Sequence, residues 1–594
     1  MLVSVFYHMG LLDGFRTLKN NINKAREIFE NEEGVVGSEL SELTLTMGDD
    51  ALIELSNKWE NDWKNYDKRK KLEEAQKENE KYWLGEHYGE EIEGEHQLKD
   101  NLIFAALETF LPIATRQNPE PVVNGGKREE GIKFSKLLRD IILDVADVER
   151  IRLKLKKSVR YWALYLLGAI KIAWDPMEDR IVVHTVRPQK LILDPNGVIE
   201  EGLYTGEYIG EVKQERASDL IIKFKDKKAF IEKYVNDKMG TKVRYVEWWT
   251  NEYVFWRLGG EVLGKAKNPH FNYEGEEVSS TDEFGNIAKT IKQPINLFTS
   301  PRLPYAFLSV FNLGISPFDE TSLIGQNIPL QDMVNKRLRQ VDKNVDRMNS
   351  GAVVSGDYYT QDQAQAVVDA VDNGGVVWQP TGSVRDGFMR DTGPSLPADV
   401  YTNLNDARNE LLSIFGVKGS TAQGISSEDT VRGKIIIRSQ DSDRIGGGIS
   451  EHIEQLADHV YNYIAQMALV YYAEANLVDI LGEEDARAFS ELKENVMSRK
   501  RVTISVKEGS LIPHDELTTR NEAIDLWSAG VLDPLSFFER LDDADPKERV
   551  KRLMLWKTDP FAYASETGIQ RTQQTQEEQV ANQINAQMNA ITGS

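Results

Sequence analysis

The segment from Pro301 to Ser350 constrains this chain more than any other. It reads PRLPYAFLSVFNLGISPFDETSLIGQNIPLQDMVNKRLRQVDKNVDRMNS. A proline-punctuated, strand-like approach runs into Gly314-Ile315-Ser316-Pro317, and a long amphipathic helix follows. Along that helix Val334, Leu338, Val341, Val345 and Met348 fall in one narrow stripe, spaced 4-3-4-3 like a coiled-coil seam. Lys336, Arg339, Lys343 and Arg347 lie on the opposite side. Asp332 and Asp346 partly offset them, Asp332 one helical turn before Lys336. Two readings stand side by side. One is an ordinary amphipathic helix with a solvated basic face. The other is a helix packed in a ring of copies, its basic face turned to acidic neighbours or to nucleic acid. Pro329 either kinks this helix or opens a new one at its first turn.

With 594 residues, 40% hydrophobic and 28% charged, the chain is long enough for several globular cores. A formal net charge of -23 and a pI near 5.0 keep a large assembly soluble and disfavour general adhesion to phosphate backbones, although local patches matter more than the sum. The absence of cysteine excludes disulfides and thiolate zinc sites and is compatible with a reducing cytoplasm. The start, MLVSVFYHMGLLDGF, lacks the basic opening and small-residue cleavage site of a signal peptide, and Met9 is a second candidate initiation point. No apolar run reaches the ~18 residues of a bilayer span. Tyr161–Trp174, interrupted by Gly168 and Lys171, reads as a buried helix followed by a strand.

The patterns change in order along the chain. Residues 11–115 read as mainly helical, with Leu52–Tyr88 rich in Lys, Glu and Trp and an apolar helix at Leu102–Ala114. Ile132–Leu167 reads as helix. From Ala169 short strands are predicted at Lys171–Trp174, Arg180–Val186 and Lys190–Leu193, with a hairpin of Val243–Trp249 and Tyr253–Leu258 around Thr250-Asn251. Residues 319–349 are predicted helical. Ala352–Ser355, Asp362–Val371 and Val376–Gln379 read strand, helix, strand, and Ala398–Phe415 is a second helix. A Gly/Ser/Thr-rich loop spans Lys418–Gly433. The helix beyond it, running to about Ala475, is expected to bend at Gly446-Gly447-Gly448. Residues 501–507 alternate like a strand, helices resume over 515–556, and the tail after 566 is Gln/Asn-rich. The fold class expected is α+β, mainly helical, with strand signals from Ala169 to about residue 312.

Enzyme signatures are absent. There is no phosphate-binding G-x-x-x-x-G-K-[ST] loop, Gly125-Gly126-Lys127-Arg128 being a superficial echo, and neither G-x-G-x-x-G nor H-E-x-x-H occurs. His452 and His459, seven apart beside Glu451 and Asp458, read as solvated histidines rather than a metal pair. No cofactor, metal or catalytic residue is expected.

The ordered set of elements resembles the portal, or head-to-tail connector, proteins of tailed double-stranded DNA bacteriophages. It is carried by Leu313-Gly314-Ile315-Ser316-Pro317, then a helix with Gln326 and Asn335, a Gly351-Ala352-Val353-Val354 strand, and a helix ending Leu412-Ser413-Ile414-Phe415-Gly416-Val417. The polar loop Gln423-Gly424-Ile425-Ser426-Ser427 follows. Upstream echoes are Thr115-Arg116-Gln117-Asn118-Pro119-Glu120-Pro121, Val186-Arg187-Pro188 and Leu193-Asp194-Pro195. The resemblance covers about 100–560. It implies a portal fold with a β-rich wing at 1–318, stem helices at 319–349 and 396–416, a small α/β clip at 350–395 and a tunnel loop at 417–433. A long bent helix would return to the wing at 434–499, and a helical crown and tail would occupy 500–594.

The resemblance further implies a closed ring, typically of about twelve subunits, at one capsid vertex of the virion, assembled in the host cytoplasm. Its channel would carry the DNA duplex during packaging and ejection. Partners would be terminase, the major capsid or scaffolding protein and a neck or tail adaptor, with no membrane. DNA-channel candidates are Lys336, Arg339, Lys343, Arg347, Lys418 and Arg432. Ring-interface candidates are Val334, Leu338, Val341, Val345 and Met348. Candidates for partner contact on the clip are Tyr358, Tyr359 and Trp378. The alternatives are another virion structural protein, of capsid or neck, and a nucleic-acid-processing enzyme.

Overall fold

Apolar spacing and chain-breaking residues set the element boundaries in the computed structural model. It describes residues 48–87, 98–115, 118–236, 238–273, 277–281, 287–291, 294–372, 384–391, 396–416, 446–499, 502–507, 516–541, 546–559 and 563. The chain divides into two units, Met1–Ile512 and Pro513–Ser594, and the architecture is α+β. The loop 417–433, Trp378, the strand expected at 376–379 and the Gln-rich tail lie outside the described residues.

In the first unit α1 (Asp49–Lys64) buries Leu52 and Trp59, and α2 (Arg69–Leu84) stops at Gly85, whose φ of 79° suits glycine. The region read as helical over 52–88 is thus two helices. α3 (Leu102–Ala114) matches its predicted bounds because its apolar run is capped by Asn101, whose side chain accepts from Phe104 N at 3.1 Å. After β1 (Pro121–Asn124), the helix expected over 132–167 is divided into α4 (Glu129–Val148) and α5 (Ile151–Tyr165). Arg150 breaks it with φ at 51°. The adjacent Glu149 carboxylate, nearly buried, pairs with Lys154 and Arg180 and accepts from Val183 N at 2.8 Å.

The β-rich part follows. Its strands are β2 (Gly168–Asp175), β3 (Arg180–Val186), β4 (Leu191–Leu193), β5 (Ile199–Glu200), β6 (Leu203–Tyr204) and β7 (Ile209–Arg216). The short α6 (Ala217–Lys223) and α7 (Lys228–Tyr234) intervene before β8 (Lys242–Trp249), β9 (Tyr253–Leu258), β10 (Glu261–Lys267), β11 (Glu277–Thr281), β12 (Ile287–Ile291) and β13 (Tyr305–Leu308). Two antiparallel sheets dominate, a five-stranded one ordered β10-β9-β8-β7-β4 and a three-stranded one ordered β13-β2-β3. The expected hairpin of β8 and β9 is present. One face of the larger sheet packs under α1 through Trp59, Val246, Trp248 and Phe255. α6 and α7 cover Val243 and Tyr245 on the other face.

A long helix, α8 (Leu323–Ser350), leaves this body and runs unbroken through Pro329, so the proline lies inside one helix and opens no second one. β14 (Gly351–Val354), α9 (Gln361–Asp372), the single turn α10 (Val384–Gly387) and β15 (Phe388–Asp391) form a small α/β tip. α11 (Ala398–Ile414) returns alongside α8. The partner of β14 is β15, with Val353 opposite Met389.

The glycine run at Gly446–Ser450 forms a π-helical turn that opens α12 (Glu451–Tyr471). α12 is the spine of the main core. Ile453, Leu456, Ala457, Val460, Tyr461 and Ile464 are fully buried on it against α3, α4 and α5. α13 (Glu474–Leu481), α14 (Glu483–Met497) and β16 (Thr503–Val506) complete the unit, β16 pairing antiparallel with β1. The second unit holds α15 (Glu516–Ser528), α16 (Pro534–Arg540) and α17 (Pro546–Thr558).

Candidate functional site

Burial divides α8 into two halves. Over its first half Leu323, Ile324 and Val334 are buried, and so are the amides Asn327, Gln331 and Asn335, one helical turn apart. Gln331 donates from Nε2 to Asp100 O at 2.6 Å, and its Oε1 accepts from Leu102 N at 3.0 Å and Ile103 N at 3.2 Å. Both N–H groups belong to the first turn of α3 and lack a partner within that helix, so Gln331 acts as a cap, sharing Leu102 N with Asp100 O. Asn335 Oδ1 accepts from Asp100 N at 3.2 Å, and Asn335 Nδ2 donates to His87 Nδ1 at 2.9 Å. Tyr82 donates to Asp332 at 2.7 Å, and Arg408 of α11 binds Asp100 at 2.8 Å. The root of α8 is therefore fixed to α2 and α3 by hydrogen bonds that need this one register, and α11 is tied to the same Asp100 through Arg408.

Beyond Asn335 the character changes. Among the described residues from 336 to 403, Val367 is the one buried hydrophobic side chain. Leu338 and Val341 are half-buried, Val345 is 49% exposed, and at the tip Val353 and Met389 are 54% and 61% exposed on facing strands. Among its described residues the projection has almost no core of its own.

The five seam residues are not equivalent. Val334 is completely buried inside the chain against Leu404 and Ala407, with Leu338 packed on the edge of that cluster. Van der Waals contact with α11 already uses Val334, so the surface that α8 offers to another molecule begins further along. Val341 and Val345 lie on that outer portion. Met348 is in the helix, but its side chain is outside the described residues. Of the basic set, Lys336 and Lys343 are exposed, and Arg339 is half-buried with Nε on Asn335 O at 3.3 Å. Arg347 stands on the last turn, its side chain undescribed, and Lys418 and Arg432 lie outside the described residues. Tyr358 and Tyr359 are half-buried in the turn before α9, where both backbone N–H groups bond Ser355 O. α11 carries an acidic row that sequence reading passed over. Asp399, Asp406 and Glu410 are exposed at a spacing of seven and four, without an ion-pair partner among the described residues.

A second cluster of titratable groups lies between the two sheets. Lys171 of β2 is buried and pairs with Glu211 of β7 at 3.0 Å and with Glu247 of β8, which also binds Lys213. Tyr305 donates to Glu211 at 2.9 Å and Trp249 Nε1 donates to Glu247. Burial alone would push both carboxyls up, but Lys171 and Lys213 reverse this and hold Glu211 and Glu247 below the usual carboxylate range. Burial depresses Lys213, and Glu247 with Glu211 more than restores it, so its ammonium titrates above the ordinary lysine range. Two cations balance two anions, and the group holds the sheets together. The sequence signal for it was Lys171 inside an otherwise apolar strand.

Near α12, Arg302, Asp458, His459, Asn462 and Thr503 line a cavity of about 310 Å³. His459 bonds Glu201 O at 2.7 Å. No group of three metal-ligating side chains occurs among the described residues, and none of their helices is long and apolar enough to cross a membrane.

No protein-family model and no curated protein matches the chain. Solved structures do. A chain of the virion of a native gene transfer agent particle aligns at 9% identity with a TM-score of 0.34, covering 74% of this chain and 89% of that one. A chain of the neck of an empty gene transfer agent particle aligns at 10% identity with a TM-score of 0.35, covering 75% and 90%. Overlays this loose carry no weight for family or role.

Proposed function

We propose that the chain is a portal subunit of a tailed double-stranded DNA bacteriophage, one copy in a ring that lines the DNA channel at a capsid vertex. The observation that carries this reading is the projection of α8, the tip and α11. A long helix pair fixed firmly at its root, with exposed valines and almost no buried hydrophobic side chain among the described residues of its tip, is stabilised when flanked by copies of itself. A heterologous contact repeated around an axis closes into a ring when the rotation per copy divides a full turn. The portal-like order of elements from about 100 to 560 supports the same reading. In it α8 and α11 form the stem, residues 350–395 the clip that meets terminase and then a neck or tail adaptor, and 417–433 the tunnel loop carrying Lys418 and Arg432. The wing would face capsid or scaffolding protein, and the protein would reside in the virion.

For the basic row of α8 there are two destinations. Lys336, Arg339, Lys343 and Arg347 would give weak, salt-sensitive phosphate contacts to passing DNA. The exposed acids Asp399, Asp406 and Glu410 of α11 favour a second reading, in which Lys336 and Lys343 of one copy meet that row on the next.

Electron microscopy of the purified full-length protein tests the proposal. Rings with a central hole wide enough for a duplex are expected, and Val345→Asp on the outer seam is expected to reduce the ring fraction at least about tenfold. Monomers at every concentration, or shells or tubes without an axial hole, would refute the portal reading.

A further inference from the structure

The outer corner of the five-stranded sheet has an unusual charge balance. β7 and β8 run antiparallel with Arg216 directly opposite Lys242 and Gln214 opposite Arg244. Side chains alternate along a strand. Since Val243 and Tyr245 are buried under α6 and α7, Lys242 and Arg244 point to the other face, the one that carries Val246 and Trp248. α1 covers Val246 and Trp248 but leaves the corner open, and Arg216, Gln214, Lys242 and Arg244 are all exposed. Arg257, opposite Val246 on β9, borders it. Among the described residues its guanidinium binds neutral acceptors, Ser56 Oγ at 2.8 Å, Asn57 Oδ1 at 2.6 Å and Gly259 O at 2.8 Å.

None of these four cations has an ion-pair partner among the described residues. Elsewhere in the same part of the fold Lys171, Lys213, Lys223, Lys227, Lys228 and Lys265 each reach a carboxylate. Like charges directly opposite on a sheet repel. In a chain with 72 basic and 95 acidic residues, a face that keeps such a pair without a counter-charge among the described residues is suited to an anionic occupant.

The sequence supplies that chemistry next to the corner. From Glu27 to Asn57 there is no lysine or arginine, and Glu27, Glu30, Glu32, Glu33, Glu39 and Glu42 crowd its first half. α1 begins on the same sheet face just after this stretch, since Asp49 at its start pairs with Lys265 of β10 at 3.2 Å. From β10 to β7 is three strand spacings, ~15 Å. The chain from residue 33 to 47 spans up to ~50 Å when extended. Reach is ample, and a tethered segment binds at high effective concentration.

We propose that the acidic segment 27–42 docks on the Arg216, Lys242 and Arg244 corner of its own chain, its glutamates supplying the counter-charge. Carbodiimide cross-linking of the full-length protein at about 0.05 M salt, mapped by mass spectrometry, tests this. Lys242 is expected to couple to a glutamate of 27–42. The yield should fall at least about fivefold at about 0.5 M salt, where screening shortens to a few Å. It should be lost in Arg216→Glu/Arg244→Glu, which keeps Lys242 as the reporter. The Lys265–Asp49 linkage in the same samples reports that the sheet face is folded. Three outcomes would overturn the proposal. Lys242 could stay uncoupled to 27–42 while Lys265–Asp49 forms. Linkage could occur only between heavy- and light-isotope copies, which would make a second copy the occupant. Or a duplex oligonucleotide could bind the wild type and not the double variant, which would assign the corner to nucleic acid.

Discussion

At the scale of single residues, the group between the sheets shows how a charge can be buried. Lys171, Glu211, Glu247 and Lys213 are tolerable only together, because each ion removed from water needs a partner in the same low-dielectric space. Lys171→Met leaves two carboxylates facing one ammonium. It is expected to cost about 3–5 kcal/mol, read as a lower urea midpoint at unchanged slope. His270 lies stacked on Trp249, fully enclosed. Burial, with Lys171 adding to it, pushes its imidazole down to about 3. An unfolded histidine titrates near ~6.5. Below that pH the unfolded chain takes up a proton that the folded chain refuses, so stability is full above it and falls with acid by about 1.4 kcal/mol per pH unit until about pH 3. His184 and His87 are also depressed by burial, and their contributions have the same sign. Urea midpoints at pH 7 and 5.5 should show the loss, and His270→Phe should make it shallower.

At the scale of elements, the amide ladder of α8 does what apolar packing alone does not, which is to fix register. Gln331→Leu keeps the volume, orphans Ile103 N, and leaves Leu102 N and Asp100 O with only their bond to each other. A cost of about 2–4 kcal/mol is expected, with faster amide exchange at the start of α3. The bounds of α3 and α8 were legible because apolar periodicity, caps and glycines agreed there. The join of α4 and α5 was not, since Arg150 in the left-handed region has no sequence mark and is held by what Glu149 binds across the fold. The strand β15 escaped for a similar reason. Its four residues, Phe388 to Asp391, are too few to show alternation and are defined by the partner strand β14. The buried role of Gln331 and Asn335 was hidden because an amide on a helix reads as polar surface until its partners are known.

At the scale of the whole molecule, the sequence announced an α+β chain with a long two-faced helix near its middle, and that is the architecture. It did not announce which part of the seam is already occupied. Periodicity gives Val334 and Val345 the same weight. The fold buries the first at the junction with α11 and leaves the second half in water. The difference arises because α8 outruns the body that anchors it, and chain length relative to a neighbour is a tertiary property. The same limit applies to charge. The net figure of -23 hides a face where Arg216, Lys242 and Arg244 have no ion-pair partner among the described residues, because a sum carries no positions.

Pro329 adds a mechanical consequence. Lacking an N–H, it leaves the Gly325 carbonyl without its usual donor four residues on, on the body side of the Gln331 and Asn335 clamp. The missing rung is thus shielded by the bonds that follow it. Sideways load at the far end meets those bonds first, and a tilt at Pro329 would need them to break.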